Sequence, residues 1–344
     1  MTHDSTDNAP AIEVENLCKR YGSMTAIEGV NLRVGRGEVV GFLGPNGAGK
    51  STTMRIIAGL MAATSGIARI NGIPVAWRPE AAKRHLGYMP ENNPLPEDLR
   101  VTEYLRWRAK LKGVPWRKVT ARVDAVMEAC DLVRKTRRRL IGTLSKGFRQ
   151  RVGIADAILG DPDVVILDEP TIGLDPHQIL GIRRLIRELR GKMAVLISSH
   201  ILPEIEQVCD RVIIINQGRI VASGTADSLR REFIPDSSIS LEAGIGIEAL
   251  NNALLPWEPR VRVADKGDAG EGYRHYVITL PEDSHLASGL LQRIWPVCAG
   301  RVRELHSLRP SLEDIFIAAT RRSWEIVAAD GTTPPNHPVN QGNR

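Results

Sequence analysis

The chain has 344 residues, 42% of them hydrophobic and 25% charged, with a formal net charge of +6. That length leaves room for two domains, each with its own core. No apolar run approaches the roughly 18 residues that a membrane-spanning helix needs, and so mild a charge neither demands nor forbids an anionic partner.

The chain begins with a polar, acidic stretch, Met1-Thr2-His3-Asp4-Ser5-Thr6-Asp7-Asn8, unlike a secretory signal; residues 1–10 are expected to form a disordered lead. Alternation over 12–17 predicts a strand, Lys19-Arg20-Tyr21-Gly22 a turn, and 26–34 a second strand. Gly35-Arg36-Gly37 leads into Glu38-Val39-Val40-Gly41-Phe42-Leu43, an apolar run of the kind that forms a buried parallel strand. Directly after it, Gly44-Pro45-Asn46-Gly47-Ala48-Gly49-Lys50-Ser51-Thr52 fits the phosphate-loop pattern G-x-x-x-x-G-K-[ST]. Residues 53–60 continue as a helix stopped near Gly59. The glycines let successive N–H groups turn inward as an anion nest at a helix N-terminus. Lys50 adds a point charge for the β- and γ-phosphates, and the Ser51 hydroxyl is placed to bind Mg²⁺. Strand, loop and helix in this order bind a nucleoside triphosphate.

Residues 67–75 predict a hairpin turning at Asn71-Gly72. A helical insert is expected over about 88–160, with helices at 101–112, 116–133 and 149–159 broken by Gly113, Pro115 and Gly142. The core resumes with the apolar strand Val164-Val165-Ile166-Leu167, which ends in Asp168-Glu169. One carboxylate there can hold a Mg²⁺-bound water, and the other can accept a proton from an attacking water. Gly173-Leu174-Asp175-Pro176 makes a tight turn, 177–190 a helix and 193–198 the next strand, ending in Ser198-Ser199-His200. Ligands of open α/β sheets gather at the carboxyl ends of strands, so His200 is placed to sense a γ-phosphate. A helix over 201–209 and a hairpin of 211–215 with 219–222 complete an α/β unit spanning 11–232.

Beyond a soft boundary at Phe233-Ile234-Pro235-Asp236-Ser237-Ser238, the order strand, helix, two strands, helix, strand, helix predicts a compact α+β domain over 236–320. Its last helix opens on Ser311-Leu312-Glu313-Asp314, a capping signal. Residues 327–344 are expected to be a disordered tail. Cys18, Cys130, Cys209 and Cys298 are scattered with no C-x-x-C pair, as in a reduced cytoplasmic protein.

Leu144-Ser145-Lys146-Gly147-Phe148-Arg149-Gln150 predicts a second anion-seeking helix N-terminus, capped by Ser145. With this stretch the chain resembles the ATP-binding subunits of ABC transporters over about 11–230. The stretch resembles the family's LSGGQ signature, here departing to Leu-Ser-Lys-Gly-Phe-Arg-Gln. The resemblance implies a P-loop NTPase fold: a RecA-like α/β core with an antiparallel β subdomain and a helical insert, plus the small C-terminal α+β domain. It implies that Tyr21 stacks on adenine, that residues 44–52 grip the phosphates, and that Asp168 and Ser51 serve Mg²⁺. It further implies that Glu169 is the general base, His200 the γ-phosphate switch and Asp175 the coupler between two sites. Ser145 and Gly147 would contact ATP held by a second subunit in a head-to-tail dimer.

Glu91 stands where the family usually has glutamine; a carboxylate can still serve Mg²⁺ or water but cannot donate a hydrogen bond. The Tyr-x-Pro-Glu form, Ser-Lys-Gly and the Ser311–Phe316 helix resemble one branch, whose members pair with separate multi-span permeases in drug, gliding-motility and copper-accessory systems, often exporters. Residues 92–116, with Tyr104, Trp107, Trp116 and many arginines, would face the permease. The expected protein is then an ATP-hydrolysing subunit, cytoplasmic and peripheral on the inner face of the cell membrane, with no nucleic-acid partner. The alternative is a soluble ABC-type ATPase acting on nucleic acid or ribosomes. A single phosphate loop and the absence of a heptad run disfavour it.

Overall fold

A computed structural model describes residues 9–132, 136–255, 261–281, 284–298 and 300–329. Most of the expected lead and tail therefore lie outside the described residues. The described chain forms two compact units, one holding the residues up to Thr225 together with the described residues from Arg322, the other Ala226–Arg321.

The first unit holds two sheets. β1 (Ile12–Tyr21), β2 (Met24–Val34), β4 (Ser65–Ile70) and β5 (Ile73–Pro74) form an antiparallel sheet in the order β2-β1-β4-β5. The second sheet has six strands: β3 (Val39–Leu43), β6 (Leu86–Met89), β7 (Val164–Leu167), β8 (Ala194–Ser199), β9 (Arg211–Asn216) and β10 (Arg219–Gly224). Their order is β10-β9-β3-β8-β7-β6, parallel throughout except for β10 at one edge. Every residue of β3, β7 and β8 is buried, which is why these strands read as near-continuous apolar runs, broken only by the serines that end β8, rather than as alternating ones. Helix α1 (Lys50–Ile57) joins the two sheets in one core, with Met54 and Ile57 packed among Ile12, Val30, Phe42 and Leu196.

Several elements differ from expectation. The turn expected at 19–22 is strand as far as Tyr21, because β1 stays paired with β2 through Tyr21↔Met24; only Gly22 and Ser23 turn, with Gly22 at φ +58°. Helix α2 (Pro79–Arg84) and strand β6 are additions to the expected elements; Leu86-Gly87-Tyr88-Met89 is short and carries glycine, so its pattern does not announce a strand. β6 is the far edge of the core sheet, so the helical insert begins after Met89 rather than at 88. The insert holds α3 (Val101–Leu111) and α4 (Val119–Ala129), with a 3-10 turn at Trp116–Lys118; Val133, the expected helix end, lies outside the described residues.

Helix α5 (Lys146–Ile158) packs against β6 and is buried along most of its length, so it belongs to the core as much as to the insert. After β7 come α6 (Pro176–Leu189) and, after β8, α7 (Leu202–Glu206), which is shorter than the 201–209 expected.

The second unit starts earlier than the expected boundary, at α8 (Ala226–Phe233), where Leu229 is buried and Arg230 Nε donates to the Pro310 carbonyl at 2.7 Å. Its antiparallel sheet runs β12 (Arg262–Gly270), β13 (Tyr273–Leu280), β11 (Ser237–Ala243), β14 (Val302–Leu308) in spatial order. Helices α9 (Ile247–Leu254) and α10 (Ser284–Cys298) cover the Leu241, Tyr276 and Ile278 face. Ser311 caps α11 (Leu312–Ala329) through a reciprocal pairing with Asp314.

Candidate nucleotide-binding site

The phosphate loop connects β3 to α1, and its glycines answer to real constraints. Gly49 sits at the helix N-cap with φ +105°, and a Cβ there would stand 2.5 Å from Ile27 Cγ2. At Gly44 a Cβ would meet the Ile215 carbonyl at 2.4 Å. Lys50 folds back over the loop, donating from Nζ to the Gly44 carbonyl at 2.7 Å and the Pro45 carbonyl at 3.3 Å. Its burial holds the amine's pKa below the usual lysine value, an effect opposed by Glu169, Asp168 and Glu91.

Strand order brings the rest together. β8 lies between β3 and β7, so the loops after all three strands open at one end of the sheet. A cleft of about 580 Å³ at that end is lined by Tyr21 and Met24, by Pro45, Asn46, Gly47 and Gly49 to Thr52 of the loop, and by Glu91, Glu169, Ile172 and His200. Gly44 and Ala48 of the loop do not line it; Ala48 is buried, its carbonyl accepting from Gly218 N. Tyr21 stands at the rim, 42% exposed, with its hydroxyl bonded to Met61 Sδ at 2.9 Å and Lys19 Nζ 5.2 Å from its ring centre.

Asp168 is fully buried and is not among the residues lining the cleft. Its Oδ1 accepts from Ser198 Oγ at 2.6 Å and from Ser51 Oγ at 3.3 Å, while Oδ2 is buried without a hydrogen-bond partner. A hydroxyl and a carboxylate with a spare oxygen form an all-oxygen donor set of the kind that suits Mg²⁺. Glu169, also buried, has φ +51°, a left-handed backbone rarely taken by a side chain of this size. Its Oε2 pairs with His200 Nδ1 at 2.7 Å and its Oε1 lies 3.9 Å from Lys50 Nζ.

Ser145 and Gly147 are not among the residues lining this cleft. Ser145 caps α5, its Oγ accepting from Phe148 N at 3.5 Å, and a Cβ at Gly147 would stand 2.4 Å from Gln178 Oε1. Asp175 caps α6 by accepting from Gln178 N at 2.9 Å. Sequence reasoning passed over Ser198, although a serine ending the otherwise apolar run 193–198 was a visible signal. The parallel pairing Leu167↔Ile197 sets it beside Asp168.

Comparison with known proteins gives the chain's family. The ABC transporter family model matches residues 27–172. The Nod factor export ATP-binding protein I of Rhizobium etli is 32% identical over 322 residues, covering 92% of this chain and 95% of that protein. The daunorubicin resistance ATP-binding protein DrrA3 of Streptomyces coeruleorubidus is 31% identical over 318 residues, covering 90% and 96%. A solved structure described as the ATP-binding subunit of an ABC transporter superposes with a TM-score of 0.60 at 38% identity, over 65% of this chain and 93% of that one. The nucleic-acid alternative finds no support in these relatives. With long relatives matched nearly end to end and a phosphate loop facing paired carboxylates, this chain belongs to the ATP-binding subunits of ABC transporters, the ATPases that power transport.

Proposed function

We propose that this subunit drives export through a separate multi-span permease, closing head to tail on a second ATP-binding subunit with ATP and Mg²⁺ at the interface. It then works as a peripheral protein on the inner face of the cell membrane; among the described residues no helix is long and apolar enough to cross a membrane. Export is favoured by the names of the relatives matched over most of their length, a Nod factor exporter subunit and a daunorubicin resistance subunit. The permease-facing surface is residues 92–116, where Trp107 is 51% and Trp116 77% exposed while Tyr104 is buried.

The reading rests above all on Glu169, whose carboxylate lies between His200 Nδ1 at 2.7 Å and Lys50 Nζ at 3.9 Å on the wall of the cleft. In that position it takes the proton of a water attacking the γ-phosphate. His200 holds one carboxylate oxygen and reports the γ-phosphate, Lys50 and the loop amides grip the phosphates, and Tyr21 stacks on the base. Ser51, Asp168 and Glu91 hold Mg²⁺, which when bound offsets phosphate charge. Ser145 and Gly147 offer a second helix terminus to the ATP of the facing subunit, so ATP favours the closed pair by contacts made only there.

Glu169→Gln keeps the shape and removes the base, so ATP binding is retained while turnover falls by about 10²-fold or more. Wild-type turnover in that variant would remove Glu169 from the role. Capture of the ATP-locked variant from detergent-solubilised membranes is expected to recover a polytopic membrane protein; recovery of RNA in its place counts against the transport assignment.

A further inference from the structure

We infer that Ser198 is a positioning residue of the ATPase site, its hydroxyl locking Asp168 and Glu169 into their working arrangement. The inference rests on the roles proposed above for those two acids. Ser198 is fully buried at the carboxyl end of β8, opposite Phe42 of β3 on one side and adjoining the end of β7 on the other. Its single hydroxyl makes two bonds in opposite senses. It donates to Asp168 Oδ1 at 2.6 Å and accepts from the Glu169 backbone N–H at 2.8 Å.

Each bond answers a specific need. With Ser198 and Ser51 both on Oδ1, Asp168 cannot rotate without breaking a buried hydrogen bond, and Oδ2 remains the oxygen free for a metal-bound water. Glu169 needs the second bond because its backbone sits at φ +51°, which is unfavourable for a non-glycine residue and persists only when neighbours over-determine it. The Ser198 hydroxyl satisfies the Glu169 amide and so anchors the backbone from which the Glu169 side chain reaches His200. A hydroxyl suits both bonds because its one small oxygen donates and accepts strongly at once; alanine strands a buried N–H and loosens a buried carboxylate together.

The test compares Ser198→Ala and Ser198→Thr in the full chain, with Glu169→Gln as reference. In Ser198→Ala, kcat should fall about 10- to 100-fold, the range for loss of a group that orients a ligand-holding residue, with KM for ATP moving by less than about two-fold. Fluorescent-ATP affinity in EDTA should match wild type, while the Mg²⁺ concentration that gives half-maximal binding enhancement rises by about ten-fold. Ser198→Thr, which keeps the hydroxyl, should recover most of kcat and the Mg²⁺ response. Wild-type kcat and Mg²⁺ response in Ser198→Ala overturn the inference, as does equal damage in the threonine variant, which would mark a packing effect.

If the alanine variant does not fold, Ser198→Cys decides, since a thiol of similar size donates only weakly. It should show the same kcat loss and Mg²⁺ shift, and normal values for both count against the inference. Normal turnover in Glu169→Gln would instead fault the role of Glu169, leaving the Mg²⁺ arm as a separate reading of Asp168.

Discussion

Lys50 is 6% exposed and its burial outweighs the pull of Glu169, Asp168 and Glu91 on its charge, so its pKa lies below the ordinary lysine value. By linkage, an amine easier to neutralise folded than unfolded makes its charge a cost to stability. That cost is in full force below the lowered pKa and is relieved as pH rises from there toward the unfolded value. Lys50→Met should therefore raise the Tm of the nucleotide-free protein, and the gap should narrow as pH approaches 10.5. The same variant should lose the Tm increase that ATP produces in wild type, since stabilisation follows binding. Thermal melts across pH, with and without ATP, check both; a Tm below wild type at neutral pH would mean the lysine stabilises its carboxylates more than burial costs. Lys50 and Ser51 were legible because the motif's spacing is local, whereas the Ser198 bonds join residues thirty and twenty-nine positions apart.

Among elements, the seating of α5 on β6 depends on one missing side chain. A Cβ at Gly87 would stand 2.1 Å from the Ala157 carbonyl, a backbone atom with no rotamer to yield. Gly87→Ala should then destabilise by about 1–3 kcal/mol or more, because helix and strand must part. Urea denaturation reads that loss, and an unchanged midpoint would show that α5 can shift cheaply. Helix α3 is tied to the same α5 by Asp156, which accepts from Arg108 Nε at 2.8 Å and from the Tyr104 hydroxyl at 3.4 Å. The basic run near 137–139 also has structural work: Arg137 pairs with Asp124, and the Arg137 and Arg138 carbonyls accept from Thr102 and Arg100. Such ties were invisible in sequence because neither partner's type announces the other.

At the scale of the whole molecule, two units each bury their own apolar cluster. Separate cores predict two unfolding transitions in calorimetry. ATP with Mg²⁺ at a hundred times its Kd should stabilise only the transition of the first unit, by about 2.7 kcal/mol. A single transition that moves as one with ATP would show the two cores to be thermodynamically joined.

By itself the sequence determined the phosphate loop, the buried strands and the acidic pair, because turn chemistry, unbroken apolar runs and fixed spacing act between neighbours along the chain. It also carried the family, through motifs kept in order. Tertiary structure alone decided that β8 lies between β3 and β7, and hence that Ser198 faces Asp168. It alone set Glu169 in a left-handed backbone and made β6 the sheet's far edge. Strand order and buried hydrogen bonds are settled by packing between segments remote in sequence, and no local pattern encodes them.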